Sequence, residues 1–399
     1  MHPQQFKIYN DWKIKIYLFE KMSSAKFGIL KKYLPAVIFL TSLFFIIKPL
    51  FLNFYPDFKV HYLAPLAILK GFNPYLGGKG YFTPDVHPPF TILLFSPFTL
   101  FPYYFAEKLW TMLSIVFLIA SVYIIFKVNN QKMSSGIGLL ISALLFVFYF
   151  PVKFTLGMGQ INFLILFLAT LAIYFLNKNK NYLSGIFLGL SIMIKFFPLL
   201  FLPYLVILKK WKILISFLCV STIIFLFAFM IIKPDINVYF YKNILPTFFG
   251  GWKTDYYNQS LSGFLGREMA IGTSRELFRI FISFILTLLP FLVILKNSLN
   301  RKRMLNLELS IIITTTLLVN NFSWQHHFVW LIFPYITIFY FLKDKKLNVN
   351  YYFILGISFI LTGFNLVNPL VLPTIFISHV FYGALMLWGL NLYLLYKKS

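Results

Sequence analysis

Acidic residues are scarce in this chain of 399 residues: 11 Asp and Glu stand against 36 Lys and Arg, and all charged residues together make up 12%. A soluble domain carries about a quarter charged residues, so an ordinary water-facing surface is excluded. Cysteine is nearly absent. The single Cys219 lies inside an apolar run, which excludes a disulfide framework and a thiolate metal site. Long polar stretches are missing too, and no low-complexity linker or fixed-period repeat divides the chain.

What is present is apolar: 59% of residues are hydrophobic and 21% aromatic, led by 51 Phe. Runs of roughly 20 apolar residues each match a hydrocarbon core about 30 Å thick. They lie at 33–52, 106–127, 134–152, 158–176, 181–208, 212–232, 274–296, 304–321, 326–342, 350–367 and 372–396. The expected fold class is therefore all-α, a polytopic membrane protein, with 33–399 forming one transmembrane domain behind a basic segment at 1–32. The net charge of +25 raises nucleic acid as a partner. The basic residues fall in short clusters between apolar runs, however, and leave no basic face with interleaved aromatics, so no nucleic-acid partner is expected.

Those clusters set the topology. Lys7, Lys13, Lys15, Lys21, Lys26, Lys31 and Lys32 place the N-terminus in the cytoplasm. The stretch is too long for a signal-peptide n-region and no small-residue cleavage site follows, so the first run reads as a retained helix. Lys127 and Lys132, Lys178 and Lys180, Lys209 to Lys212, Arg301 to Arg303, Lys343 to Lys346, and Lys397 and Lys398 mark later cytoplasmic turns. The run 181–208 then has cytoplasmic signals at both ends. Its middle, IKFFP, holds Lys195 and Pro198, and proline breaks a helical ladder. Two short helices meeting near Lys195 satisfy the charges; one tilted helix with a buried lysine is the alternative, and it inverts everything downstream. The hairpin yields about 12 crossings, with long outer loops at 53–105 and 233–273. Two amphipathic or re-entrant stretches, 60–71 and 88–103, fall in the first loop.

Under this topology the polar residues collect on the outer side: Asp57, His61, Asp85 and His87; Gln160 and Asn162; Lys195; Asn258, Gln259 and Arg267; and His326 and His327. Charge near a membrane is expensive unless it serves a purpose. Asp57, among aromatic neighbours in YPDFKVHY, is either a general base or the N-cap of a helix over 60–71. Asp85, two residues before His87, reads as a turn former. Lys195 suits a phosphate, or snorkels to the interface. Arg267 either pairs a phosphate or flanks the membrane, and Asn258 and Gln259 make a polar loop. Adjacent helical histidines point about 100° apart, so His326 and His327 read as hydrogen-bonding or phosphate-pairing residues, or as interfacial anchors. The outer carboxylates show no paired spacing, and no metal site is expected.

Together these stretches resemble glycosyltransferase family 87, the polyprenol-phosphate-mannose-dependent mannosyltransferases of the GT-C membrane fold. The residues that carry the resemblance are PDFKVHYLAPLAILKGFNPY at 56–75, HPPFTILLFSPFTLFP at 87–102, GQIN at 159–162, SGIFLGLSIMIKFFPLLFLPYLVILKKWK at 184–212, NQSLSGFLGR at 258–267 and SWQHHFVWLIFP at 323–334. The resemblance implies Asp57 as catalytic base, Lys195 on the lysine of a K-x-x-P pattern, and His326 or His327 in the site. The first loop departs from the pattern at YFTPDVHPPF, which puts the roles of Asp85 and His87 in question. The implied activity moves a hexose, most simply mannose, from a polyprenyl-phosphate donor to a glycolipid or glycan acceptor, with inversion, on the extracytoplasmic face of the cell membrane. Membrane lipids are the remaining partners, and no cofactor is expected. The absence of a glycine-rich phosphate loop between strand and helix agrees with a lipid-linked rather than a nucleotide donor. A multi-pass transporter or lipid flippase is the rival class, though only one broken helix is visible where transporters pair two.

Overall fold

The computed structural model describes residues 32–52, 55–77, 85–250, 254–366 and 369–397. The basic segment before Lys32, expected in the cytoplasm, lies outside the described residues. Among the described residues every regular element is helical, and one isolated bridge pairs Asn258 with Trp324.

The chain opens with α1 (Lys32–Phe51), then α2 (Pro56–Leu69), α3 (Pro89–Phe95), α4 (Tyr103–Val128), α5 (Gly136–Phe148) and α6 (Phe150–Met158). It continues through α7 (Asn162–Asn177), α8 (Asn181–Ile194), α9 (Phe201–Ile207), α10 (Trp211–Ile231), α11 (Pro234–Tyr239) and α12 (Thr247–Gly250). The last part holds α13 (Leu261–Glu268), α14 (Thr273–Leu299), α15 (Leu305–Val319), α16 (Ile332–Asp344), α17 (Val349–Gly363), α18 (Thr374–Ile377) and α19 (His379–Lys397).

Among the described residues four helices, α1, α4, α10 and α14, are long and apolar enough to cross a bilayer. The pair α5 and α6 makes a fifth if taken as one span bent by 57°. The break falls at Tyr149, which is extended (φ −87°, ψ 97°), and Pro151 in the first turn of α6 lacks the amide that would continue the ladder from α5. Several expected crossings are shorter. The 14 residues of α8 extend about 21 Å, less than a full hydrocarbon core.

Burial runs opposite to that of a soluble protein. Leu40 and Phe44 on α1, Leu226 and Met230 on α10, and Phe281 and Phe284 on α14 all face outward. Such a continuous apolar exterior suits lipid rather than water. The interior is built around α15, buried without interruption from Leu307 to Leu318, and around α16 with Phe328 and Trp330 just before it.

At Lys195 the helical path stops. Ile194 ends α8, Lys195 is extended (φ −156°, ψ 123°), and a 3-10 turn at Phe197–Leu200 leads into α9. The directions of α8 and α10 decide between the two readings of this run. A side chain at Gly185 would meet Ile213, Ser216 and Phe217, and one at Gly189 would meet Phe217 and Val220. Contacts that advance together along both helices mean that α8 and α10 run parallel, so the chain between them turns back. A single tilted helix over 181–208 is excluded by this geometry.

Candidate active site

The helix carrying Asp57 begins earlier than the stretch 60–71 anticipates. Its first turn starts at Pro56, its N-cap is Tyr55, and no side chain caps it. Asp57 is thus inside the first turn, and its carboxylate is turned elsewhere: Gln160 Nε2 donates to Asp57 Oδ2. The capping reading of Asp57 does not describe this geometry. Partial burial pushes the Asp57 carboxyl above its ordinary value, against the opposing pull of the Gln160 hydrogen bond and of nearby His87 and Lys195.

Gly159 makes that hydrogen bond possible. It closes α6 in the left-handed conformation (φ 70°), where its carbonyl accepts from Trp110 Nε1 at 2.9 Å. A Cβ there would lie 2.6 Å from Phe58 Cβ, so only glycine lets α2 approach closely enough for Gln160 to reach Asp57. Three residues of one short motif therefore divide the work: Gly159 permits contact, Gln160 meets the carboxylate, and Asn162 opens α7 facing the lysine.

Lys195 Nζ donates to Asn162 Oδ1 at 3.2 Å and lies 2.7 Å from His327 Nε2. The backbone N–H of Trp324 donates to His327 Nδ1 at 3.1 Å, which assigns the ring hydrogen of a neutral imidazole to Nε2. That N–H then points at Lys195, and an amine lone pair accepts it. His326 is held differently. Its carbonyl accepts from Thr155 and Asn162, its ring lies against Phe154 and Trp324, and its Nδ1 is buried without a partner. Of the two histidines, His327 is engaged within the protein and His326 keeps a ring nitrogen to offer. Thr91 Oγ1, inside the HPPFTILLF stretch but not singled out there, donates to the Ile194 carbonyl at 2.7 Å and fastens α3 beside the lysine.

The first loop brings a second group together. Asp85 Oδ1 accepts from the His87 backbone N–H and lies 2.8 Å from His87 Nδ1. The former contact is the turn-forming role expected of Asp85. The His61 ring sits 4.5 Å from that of His87. Among the described residues, His61, Asp85 and His87 are the group of His, Cys, Asp or Glu whose ligand atoms converge, all within 4.8 Å of one another.

The second loop has a different use for its polar residues. Asn258 Oδ1 accepts from Ser260 and from the Ser323 N–H, while its side-chain amide donates to the Asn321 carbonyl. Gln259 bonds the carbonyls of Tyr256 and Ile377 and the N–H of Phe381. Arg267 is spent on Ser378 Oγ and the carbonyls of Asp255 and Asn258. These three residues knit the loop to α18, α19 and the Ser323–Trp324 segment.

The family model described as Glycosyltransferase family 87 matches residues 86–320, more than half of the chain. This chain belongs to glycosyltransferase family 87. It is similar to a polyprenol-phosphate-mannose-dependent alpha-(1-2)-phosphatidylinositol mannoside mannosyltransferase of Mycobacterium tuberculosis, at 24% identity over 311 residues, covering 73% of this chain and 72% of the relative. It is also similar to a polyprenol-phosphate-mannose-dependent alpha-(1-2)-phosphatidylinositol pentamannoside mannosyltransferase of the same species, at 23% identity over 62% of this chain and 57% of that relative. No solved structure matches. Family membership and the apolar helices make this a membrane glycosyltransferase, in place of the transporter reading. The matched region contains Gln160, Asn162 and Lys195, whereas Asp57, His326 and His327 lie outside it.

Proposed function

We propose that this family 87 glycosyltransferase moves mannose from a polyprenyl-phosphate donor to a hydroxyl of a glycolipid, on the extracytoplasmic face of a membrane that the chain crosses about 12 times. The observation that carries the reading is the path Asp57–Gln160–Asn162–Lys195: a carboxylate on α2 and a lysine just past the end of α8, joined through one four-residue motif. The names of the two relatives support the donor and the class of acceptor.

The chemistry follows from those two groups. The acceptor oxygen attacks the anomeric carbon, its proton passes to Asp57, and the bond from that carbon to the phosphate oxygen breaks. Polyprenyl phosphate leaves without a general acid, because a phosphate oxygen is a weak base. Lys195 donates its amine hydrogens to the phosphate oxygen as negative charge builds there, and the N–H that His327 directs at its lone pair keeps the amine in place. The Nδ1 of His326 and the Oε1 of Gln160, both buried without partners, provide acceptors for sugar hydroxyls. His87 completes the wall near Asp57. With one carboxylate there is one displacement, so a β-linked donor yields an α-mannoside. Arg267, Asn258 and Gln259 support the site by holding the second loop.

The test incubates membranes containing the full chain with radiolabelled polyprenyl-phosphate-mannose and follows label into extractable glycolipid. Transfer into lipid supports the reading. Transfer from a nucleotide sugar but not from the lipid-linked donor would overturn it.

A further inference from the structure

We propose that His61, Asp85 and His87 form a site for one divalent cation of the zinc class, which ties the 85–89 loop to the helix that carries Asp57. No part of the proposed transfer mechanism requires this ion, and the inference stands apart from that mechanism.

Four observations carry it. First, the ligand atoms already lie within 4.8 Å of one another. A tetrahedral ion about 2.0–2.1 Å from nitrogen and oxygen ligands sets them about 3.4 Å apart, so small side-chain rotations close the cage. Second, His61 Nε2 and Asp85 Oδ2 are buried without hydrogen-bond partners, and both residues are only 2% exposed. A polar atom buried without a partner is destabilising. A simple Asp85–His87 pair satisfies neither of these atoms, whereas a cation between the three side chains engages both residues.

Third, the side chains are held in place before any ion arrives. The His61 ring stacks on Phe95 at 4.5 Å, the Asp85 N–H donates to the Pro74 carbonyl, and Tyr75 donates to the His87 carbonyl. Pro88 and Pro89 stiffen the next stretch of chain. The His87 backbone N–H supports the Asp85 carboxylate as an outer-shell partner supports a metal ligand. Fourth, two imidazoles and one carboxylate match a borderline cation, while magnesium and calcium favour all-oxygen cages. No further His, Cys, Asp or Glu joins the group among the described residues, so an exogenous oxygen fills the fourth position. His61 lies one helical turn after Asp57 on α2. The ion therefore positions the helix rather than touching the reacting atoms.

The full chain, purified in detergent through a tag free of histidine, is stripped with chelator, loaded with Zn²⁺ and desalted before elemental analysis. The wild type is expected to retain about one equivalent and to gain thermal stability on loading. His61→Leu and the double variant His61→Leu/His87→Asn are expected to lose both effects. Retention by the wild type no greater than by the double variant, or no shift on loading, overturns the site. Should the variants fold poorly, Co²⁺ added to the stripped wild type gives a second measurement. Visible d–d absorption of a four-coordinate nitrogen–oxygen site supports the proposal, and its absence overturns it.

Discussion

Lys195 Nζ lies 2.7 Å from His327 Nε2 although 132 residues separate them in the chain. The lysine stands where α8 stops, and the histidine where a 3-10 turn begins, so both are at helix ends rather than on lipid-facing sides. A helix end exposes backbone groups and leaves room for a ligand, which a continuous helix does not. The break at Lys195 thus serves two purposes: it reverses the chain and it presents an amine.

Replacing that amine tests its role toward phosphate. Lys195→Met keeps the length of the side chain and removes the donor. A lost hydrogen bond to a charged group costs about 1.5–3 kcal/mol, so the donor KM should rise about 10- to 100-fold. Lys195→Arg should recover only part of this, because a planar guanidinium has no lone pair for the His327 N–H and does not fit between Asn162 and His327 as a single amine nitrogen does. Unchanged donor kinetics for Lys195→Met in a folded preparation would remove the residue from the site.

The hairpin also has a direct readout. In a Cys219→Ala background, single cysteines at the exposed positions Asp235 and Ser274 should react with an impermeant thiol reagent from outside intact cells. Cysteines at Lys178, Lys212 and Lys345 should react only after permeabilisation. Opposite sides for Lys178 and Lys212 would contradict the return of the chain between α8 and α10.

Much of this was legible in the sequence. The lysine clusters and Pro198 were enough to propose the reversal, because charge fixes sidedness and proline fixes where a ladder breaks. The Gly159–Gln160–Asn162 motif and Lys195 could be named for the same reason that they meet: each lies at a helix end. Other features depended on tertiary contact. Asp57 looked equally like a cap, since sequence does not reveal that Gln160, 103 residues away, would claim its carboxylate. Arg267, Asn258 and Gln259 looked like ligand groups, but their partners are distant carbonyls and hydroxyls that no local pattern announces. His61 carries no motif of its own, and only the folding of the first loop back over α2 brings it to Asp85 and His87.

Gly159 should tolerate no side chain. Gly159→Ala forces a Cβ against Phe58 and strains a left-handed residue, and overpacking of this kind costs about 1–3 kcal/mol. Thermal unfolding in detergent should show the loss, with transfer falling further than stability because Gln160 is displaced from Asp57. A silent Gly159→Ala would mean that α2 does not need to approach so closely.

The pH profile follows from the burial of Asp57. A general base works only when ionised, and the carboxyl is raised above 3.8. Activity should therefore be present at neutral pH and be lost as pH falls through a value higher than an ordinary carboxylate's. Gln160 donates to the ionised form and so opposes the rise. Gln160→Leu should accordingly move the acid limb of kcat/KM to higher pH. A limb that stays in place, or moves down, would show that Gln160 does not tune the base.

The central claim, that Asp57 takes the acceptor proton, is tested most directly by transfer kinetics of Asp57→Asn with radiolabelled polyprenyl-phosphate-mannose. Asparagine keeps the shape of the side chain and its contact with Gln160 but cannot accept a proton. The variant should insert, unfold at a temperature close to the wild type's and still bind donor, while transfer falls by about 10²- to 10⁴-fold. Near-wild-type transfer from a well-folded Asp57→Asn preparation would contradict the account.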